Sequence, residues 1–275
     1  MLKRSIPSTG ELLPVVGCGT WQTFDAGTSD AERRPLLAVL RTLLDSGGAV
    51  IDSSPMYGRA EAVSGNLVAD LKARERAFIA TKVWTTGQAE GAAQMARSMR
   101  LMRAHPIDLI QIHNLVDWRA HLKTLRDWKA SGRVRYLGIT HYTASAHADL
   151  EAIMRTEAID FVQVNYAMDD RAAERSLLPL AVERGIATLI NRPLGQGGLV
   201  KRLSRRPLPE FASEIGCETW SQLALKYLIA NEAVACVIPA TRNPEHMKSN
   251  ALARSGILPD AAMRKRILAA AGLVG

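Results

Sequence analysis

The sequence predicts an α/β protein, a (β/α)8 TIM barrel formed as a single domain over residues 1–275, and three observations predict it. Eight short, β-branched apolar runs recur along the chain, and most are separated by stretches with helical periodicity. Their hydrophobicity is nearly continuous, as expected for parallel strands covered on both faces. No Pro-, Gly- or Ser-rich linker divides the chain, and no short-period repeat appears beyond the βα rhythm. Eight strands alternating with helices favour a closed barrel over an open doubly wound sheet. The open sheet also lacks its glycine-rich GxGxxG: "GCGTWQ" has only the first two glycines, and no helix opens directly after it.

In order, the expected strands are "LPVVGCGT" (13–20), "GAVIDSS" (48–54), "AFIATKVW" (77–84), "IDLIQIHN" (107–114), "RVRYLGIT" (133–140), "DFVQVNY" (160–166), "IATLINRP" (186–193) and "VACVIPA" (234–240). Helical rhythm follows in "DAERRPLLAVLRTLLDSG", which starts at an acidic cap, and in "EGAAQMARSMRLMRAH", "WRAHLKTLRDWKASG", "ASAHADLEAIMRT" and "AAERSLLPLAVERG". Gly47, Gly132 and Gly185 follow last helical turns, as C-cap glycines do. The longest interruption, "NRPLGQGGLVKRLSRRPLPEF", is rich in Pro, Gly and Arg and reads as a functional loop. The tail "SGILPDAAMRKRILAAAGLVG" reads as a final amphipathic helix, leaving little chain for a long specificity loop.

Composition narrows the function classes. The formal charge is +8, but the basic clusters "RRPL", "KARER", "KRLSRRP" and "RKR" are short and scattered, with little aromatic interleaving. They read as solvated faces, and no nucleic-acid partner is expected. Cys18, Cys217 and Cys236 are far apart and odd in number, with no CxxC pair or His/Cys cluster, so no metal is expected. No apolar run approaches a membrane span, and "MLKRSIPSTGEL" is followed by no apolar signal-peptide core. The expectation is a reduced, cytoplasmic protein without membrane attachment.

Polar residues then fall at the carboxyl ends of neighbouring strands, where barrel enzymes build their sites. Asp52 ends the second strand, Lys82 the third and His113 the fourth, and Tyr57 lies just past the second. Alone, each has an ordinary structural explanation: a cap, a snorkelling lysine, a strand-end histidine, a loop aromatic. Together they suit protonation of an oxygen. A tyrosine, with a reference pKa of about 10, is a poor acid at neutral pH. A neighbouring ammonium favours the phenolate, and lowering the value by about 2–3 pH units corresponds to roughly 3–4 kcal/mol. An aspartate would keep that lysine charged. The set suits reduction of a carbonyl, with hydride arriving at carbon and a proton at oxygen.

These residues resemble the aldo-keto reductase family. "IDSSPMYGRAE" is similar to the family's Asp-x4-Tyr-Gly segment with its following Glu, here Asp52, Tyr57, Gly58 and Glu61. "IATKVW" carries the family lysine and "IDLIQIHN" the family histidine, while "GCGTWQ", "YLGIT", "VQVNY", "RPLGQGGL" and "VIPATRNPEHMKSN" resemble further segments in the family's order, from Gly17 to Asn250. The resemblance implies a barrel that binds NADPH, with NADH less favoured, and reduces aldehydes or ketones as a monomer by default. It implies Tyr57 as general acid, tuned by Lys82 and Asp52, with His113 orienting the carbonyl. Trp21, Trp84 and His113 would meet a small carbonyl substrate. Cofactor contacts would come from Gly19, Thr20, Trp21, Asp52, Thr140, His141 and Gln163, the last holding the nicotinamide carboxamide. Leu194, Gln196, Gly197, Gly198 and Leu199 would wrap the pyrophosphate, beside Asn191, Arg192 and Pro193. Ile238, Thr241, Arg242, His246 and Asn250 would hold the adenosine end, with a short helix beginning near Pro244 facing its phosphate.

The chain departs from the family pattern at several of these positions. Thr140-His141 stands where many members have Ser-Asn. Asn191, followed by Arg192, stands where many stack a tyrosine on the nicotinamide, and the Arg192 guanidinium plane could cover the ring instead. Ala240-Thr241 and His246 replace the usual Lys-Ser and arginine. Two other functions compete: a Schiff-base lyase using Lys82, and an NADPH-binding regulatory subunit with little turnover.

Overall fold

The computed structural model describes residues 1–273; residues 274 and 275, the end of the expected single domain and of its final helical segment, lie outside the described residues. Seven of the eight expected runs enter one sheet along their apolar centres. The first run divides. Leu12–Pro14 (β2) pairs antiparallel with Lys3–Ser5 (β1), and only Cys18–Gly19 (β3) joins the main sheet. The turn between β1 and β2 is "IPSTGE", in which Gly10 takes φ 75° and donates to the Ile6 carbonyl at 2.8 Å.

The barrel strands are β3, Ala49–Asp52 (β4), Ala77–Val83 (β5), Ile107–His113 (β6), Val134–Thr140 (β7), Phe161–Asn165 (β8), Ala187–Asn191 (β9) and Cys236–Val237 (β10). Each pairs in parallel with its sequence neighbour. The sheet closes where Val16 bridges Val237, Gly17 N–H donates to the Val237 carbonyl at 2.9 Å, and Gly19 N–H donates to that of Pro239 at 3.1 Å. A β-carbon at Gly19 would lie 2.9 Å from the Ile238 carbonyl oxygen, so the seam needs glycine there. The protein is therefore a (β/α)8 barrel, as its sequence rhythm predicts.

Ile6 and Leu13 of the hairpin join Val50, Phe78, Leu109, Tyr136, Phe161 and Leu189 in an apolar cluster at the amino end of the strands. This stopper leaves the carboxyl end as the open one. The larger core lies between the barrel and its helices, including Leu36, Leu40, Leu43, Leu125, Leu150 and Leu228.

The helices are Asp30–Asp45 (α1), Ala60–Asp70 (α2), Gln88–Leu101 (α3), Trp118–Ala130 (α4), His147–Thr156 (α5), Leu177–Arg184 (α6), Gly198–Leu203 (α7), Trp220–Ile229 (α8), Pro244–Leu252 (α9) and Ala261–Ala271 (α10). The cap of α1 is Ser29 rather than Asp30: Glu32 N–H donates to the Ser29 hydroxyl, which donates back to the Glu32 carboxylate at 2.6 Å. The sequence periodicity does not disclose α2, because its buried residues, Ala60, Glu61, Val63, Ser64, Gly65, Leu67 and Val68, mix small and polar groups with the apolar ones. A β-carbon at Gly65 would lie 2.1 Å from the Leu101 carbonyl, so α2 meets the end of α3 backbone to backbone. Among the described residues no helix is long and apolar enough to cross a membrane.

Candidate active site

Strand register brings the polar strand ends to one level. Asp52 pairs with Ala80, Lys82 with Gln111, His113 with Thr140, and Thr140 with Gln163. Because side chains alternate along each strand, inward residues of neighbouring strands converge at the carboxyl mouth.

At the centre is a buried ion pair. Lys82 Nζ donates to Asp52 Oδ2 at 2.6 Å and to the Ser53 carbonyl at 2.8 Å, and Lys82 has no exposed surface. The other carboxylate oxygen, Asp52 Oδ1, accepts from Gln163 Nε2 at 2.9 Å and Gln111 Nε2 at 3.2 Å. With four donated hydrogen bonds on the pair, neither charge is left bare. Burial works against the Lys82 charge, but Asp52 and Tyr57 outweigh it and hold its pKa above the ordinary value.

Tyr57 is half-buried in the loop after β4, with Lys82 Nζ 5.1 Å from its ring centroid. Its acidity differs from the sequence expectation. Burial raises the Tyr57 pKa, Lys82 lowers it, Asp52 raises it again, and the net direction is upward from 10.0. The physical reason is that Asp52 neutralises much of the lysine field while desolvation penalises the phenolate. Tyr57 therefore stands as a neutral phenol, the protonated form from which a proton can be given.

His113 meets Tyr57 edge-on, with ring centroids 5.8 Å apart at 87°. Its Nδ1 lies 3.0 Å from Ser54 Oγ, and Met56 N–H donates to that same oxygen at 3.3 Å. Ser54 can give its proton to Nδ1 or accept one from it, and the first arrangement is the one that leaves the His113 proton on Nε2. Burial, with Lys82 and His141 adding, pushes the His113 pKa down from 6.5 to about 3. His113 is thus a neutral hydrogen-bond donor across the physiological range.

The folding equilibrium should register this. The unfolded chain takes up a proton near pH 6.5 that folded His113 refuses until about pH 3. The stability contributed by keeping it neutral is complete above about pH 6.5 and is lost as the pH falls towards the folded value. Denaturant unfolding between pH 7 and 4.5 is expected to show a stability loss that His113→Asn reduces. Equal slopes in both proteins would refute the assignment.

The mouth opens into one cleft of about 970 Å³. Gly19, Thr20, Trp21, Asp52, Tyr57, His113, Thr140 and Gln163 line its reaction end. Asn191, Arg192, Pro193, Leu194, Gln196 and Gly197 line its middle, and Ile238, Thr241, His246 and Asn250 its far end. Other expected contacts stand elsewhere. Trp84 is exposed beside the mouth, its ring 6.4 Å from that of His113. Gly198 is off the wall, and the Leu199 side chain is buried in the core. Arg242 donates to the carbonyls of Thr23 at 2.8 Å and Asp25 at 3.3 Å, so its guanidinium ties two loops together instead of facing the cleft. The cations on the wall are Arg192 and Lys201.

His141 also differs from expectation. Its Nδ1 accepts from Thr143 N–H at 3.3 Å, its ring stacks on Tyr142 at 5.2 Å, and it does not line the cleft. Tyr142 does, along with Met56, Asn114, Lys201, Trp220 and Ser249, none of which the sequence singled out as site residues. Ser54 and Gln111 were equally hidden, because their contacts lie 59 residues away in the chain.

The wall fits a dinucleotide by a local criterion. Asn191 Nδ2 donates to the His141 carbonyl at 3.2 Å, which fixes the amide, and its buried Oδ1 has no partner. Such an acceptor calls for an N–H donor, and a carboxamide offers one. Gly195 and Gly197, at φ 56° and 86°, leave the following backbone open to close approach by phosphate.

The sequence profile of the Aldo/keto reductase family matches residues 15–265. Aldo-keto reductase YhdN of Bacillus subtilis is 25% identical over 215 residues, 73% of this chain and 64% of that protein, so the match spans less than two thirds of that relative. Methylglyoxal reductase YeaE of Escherichia coli is 26% identical over 260 residues, covering 91% of this chain and 89% of the relative. Among solved structures, an aldo-keto reductase from Klebsiella pneumoniae in complex with NADPH has the same fold, with a TM-score of 0.80 at 24% identity over 98% of this chain and 95% of that one.

Proposed function

The chain belongs to the aldo/keto reductase family, and from that premise we propose that it reduces an aldehyde or ketone to the alcohol with NADPH, as one barrel domain. The observation that carries the reading is Tyr57, kept neutral by burial, beside the Lys82–Asp52 pair and neutral His113 at the open end of the barrel. Bound NADPH would supply the hydride. Tyr57 would give its proton to the carbonyl oxygen, and Lys82 would stabilise the phenolate left behind. His113, oriented by Ser54, would donate Nε2–H to the same oxygen.

Asn191 Oδ1 and Gln163 would hold the nicotinamide carboxamide, and the backbone after Gly195 and Gly197 the pyrophosphate. Lys201, Thr241 and His246 line the adenosine end together with Glu245 of the first turn of α9, and Lys201 with the Thr241 hydroxyl would take the extra phosphate that distinguishes NADPH from NADH. The Klebsiella pneumoniae relative of the same fold carries NADPH. Schiff-base chemistry is disfavoured: Lys82 is charged, unexposed and committed to Asp52 and Ser53, whereas an imine needs a free amine reachable by substrate.

The test is NADPH oxidation, followed by absorbance, with a panel of aromatic and aliphatic aldehydes. Cofactor-dependent turnover is the expected result. NADPH binding without turnover on any aldehyde or ketone would sink the reading in favour of a cofactor-binding regulatory subunit.

A further inference from the structure

Arg192 stands apart from the other charged groups of the cleft. Asp52 is paired with Lys82, while Lys201 and Glu245 lie towards the far end. Arg192 follows β9 directly, and among the described residues its guanidinium has no ion-pair partner and no hydrogen bond. Its backbone is in the left-handed region, φ 52°, which a side chain seldom adopts without a functional or packing reason. The guanidinium carbon lies 4.4 Å from the centroid of the Tyr142 ring, which stands in the loop after β7. It therefore leans across the cleft towards the loop after β7. Its charge is felt at Tyr57, where it pulls against the upward shift caused by burial.

A guanidinium backed by an aromatic face, with its N–H fork unspent, is suited to a planar, two-oxygen anion. The glycine stretch proposed for the pyrophosphate, Gly195 and Gly197, stands further along the loop, at positive φ. We propose that Arg192, backed by Tyr142, binds a carboxylate on the carbonyl substrate, so that the preferred substrates are aldehyde or keto acids. This rests on the reductase reading. Tyr57 and His113 take the carbonyl oxygen, and Arg192 anchors the acid group across the mouth.

The experiment compares 4-carboxybenzaldehyde with its methyl ester, which differ in charge and little in shape, at saturating NADPH. Wild type is expected to favour the acid in kcat/KM, with the preference shrinking as salt rises. Arg192→Met is expected to lower the acid-to-ester ratio by about 10- to 100-fold, and Arg192→Lys to keep part of it. NADPH affinity, read by fluorescence titration, separates the two sources of anionic oxygen. A ratio unchanged in Arg192→Met, with weakened NADPH binding, would assign the guanidinium to the cofactor's pyrophosphate and overturn the proposal. A wild type that reduces the ester as well as the acid at every salt concentration would overturn it even without a folded variant. Reduction of neither compound, by a protein that turns over other aldehydes, would overturn the preference for the acid and leave the reductase reading standing.

Discussion

Tyr57→Phe is expected to lower kcat for aldehyde reduction by about two to four decades while leaving NADPH affinity within roughly twofold of wild type. The substitution removes one oxygen and its proton. The ring remains, and with it the edge-on contact to His113 at 5.8 Å, so the mouth keeps its shape. What disappears is the hydroxyl proton that the Lys82–Asp52 pair is positioned to support. Single-turnover oxidation of bound NADPH reads the chemical step directly. A variant keeping more than about a tenth of wild-type kcat would remove Tyr57 from the role of general acid. The upward pKa shift adds a sign: kcat/KM for reduction should hold level through neutral and mildly alkaline pH, since the proton stays on Tyr57 there.

Lys82→Met carries the second large effect, on stability as well as rate. Without the ammonium, Asp52 remains buried with two glutamine amides as its donors, at 2.9 and 3.2 Å. Breaking one side of a buried pair costs about 3–5 kcal/mol, which in a chain of this size lowers Tm by roughly 10 °C. The double variant Lys82→Met, Asp52→Asn removes the orphaned charge and should recover much of that stability without recovering activity. Thermal unfolding of wild type and the two variants tests this, and a Lys82→Met protein as stable as wild type would refute it. In wild type the sign with pH is set by the raised Lys82 pKa. The stability from its charged form is present below the unfolded value of about 10.4 and is lost as pH rises through the folded one.

Much of the architecture is legible in the sequence, for a reason specific to parallel barrels. Strands covered on both faces must be apolar almost throughout, and "IDLIQIHN" or "AFIATKVW" can hardly be anything else. The amino-terminal hairpin escapes this logic because its strands are three residues each, and Leu12–Pro14 merges in the sequence with the run that leads to β3. Helix α2 escapes it because close packing selects small residues, which carry no amphipathic signal.

The site divides along a similar line. Asp52, Tyr57, Lys82 and His113 are legible as residue types at strand ends. The direction of the Tyr57 pKa is not, since it depends on how far burial and Asp52 offset Lys82. Nor can the sequence say that His141 turns onto Tyr142, or that Arg242 spends its donors on the Thr23 and Asp25 carbonyls. Those outcomes belong to loops from different strands meeting in space.

The stopper formed by Ile6, Leu13 and their aromatic neighbours has a consequence for traffic. A cylinder sealed at one end has a single doorway. Whatever enters to react must back out the way it came, past Trp21 and Tyr142 at the rim. That single entrance is set within the chain's first fourteen residues, at the opposite end of the barrel from Lys82 and Asp52.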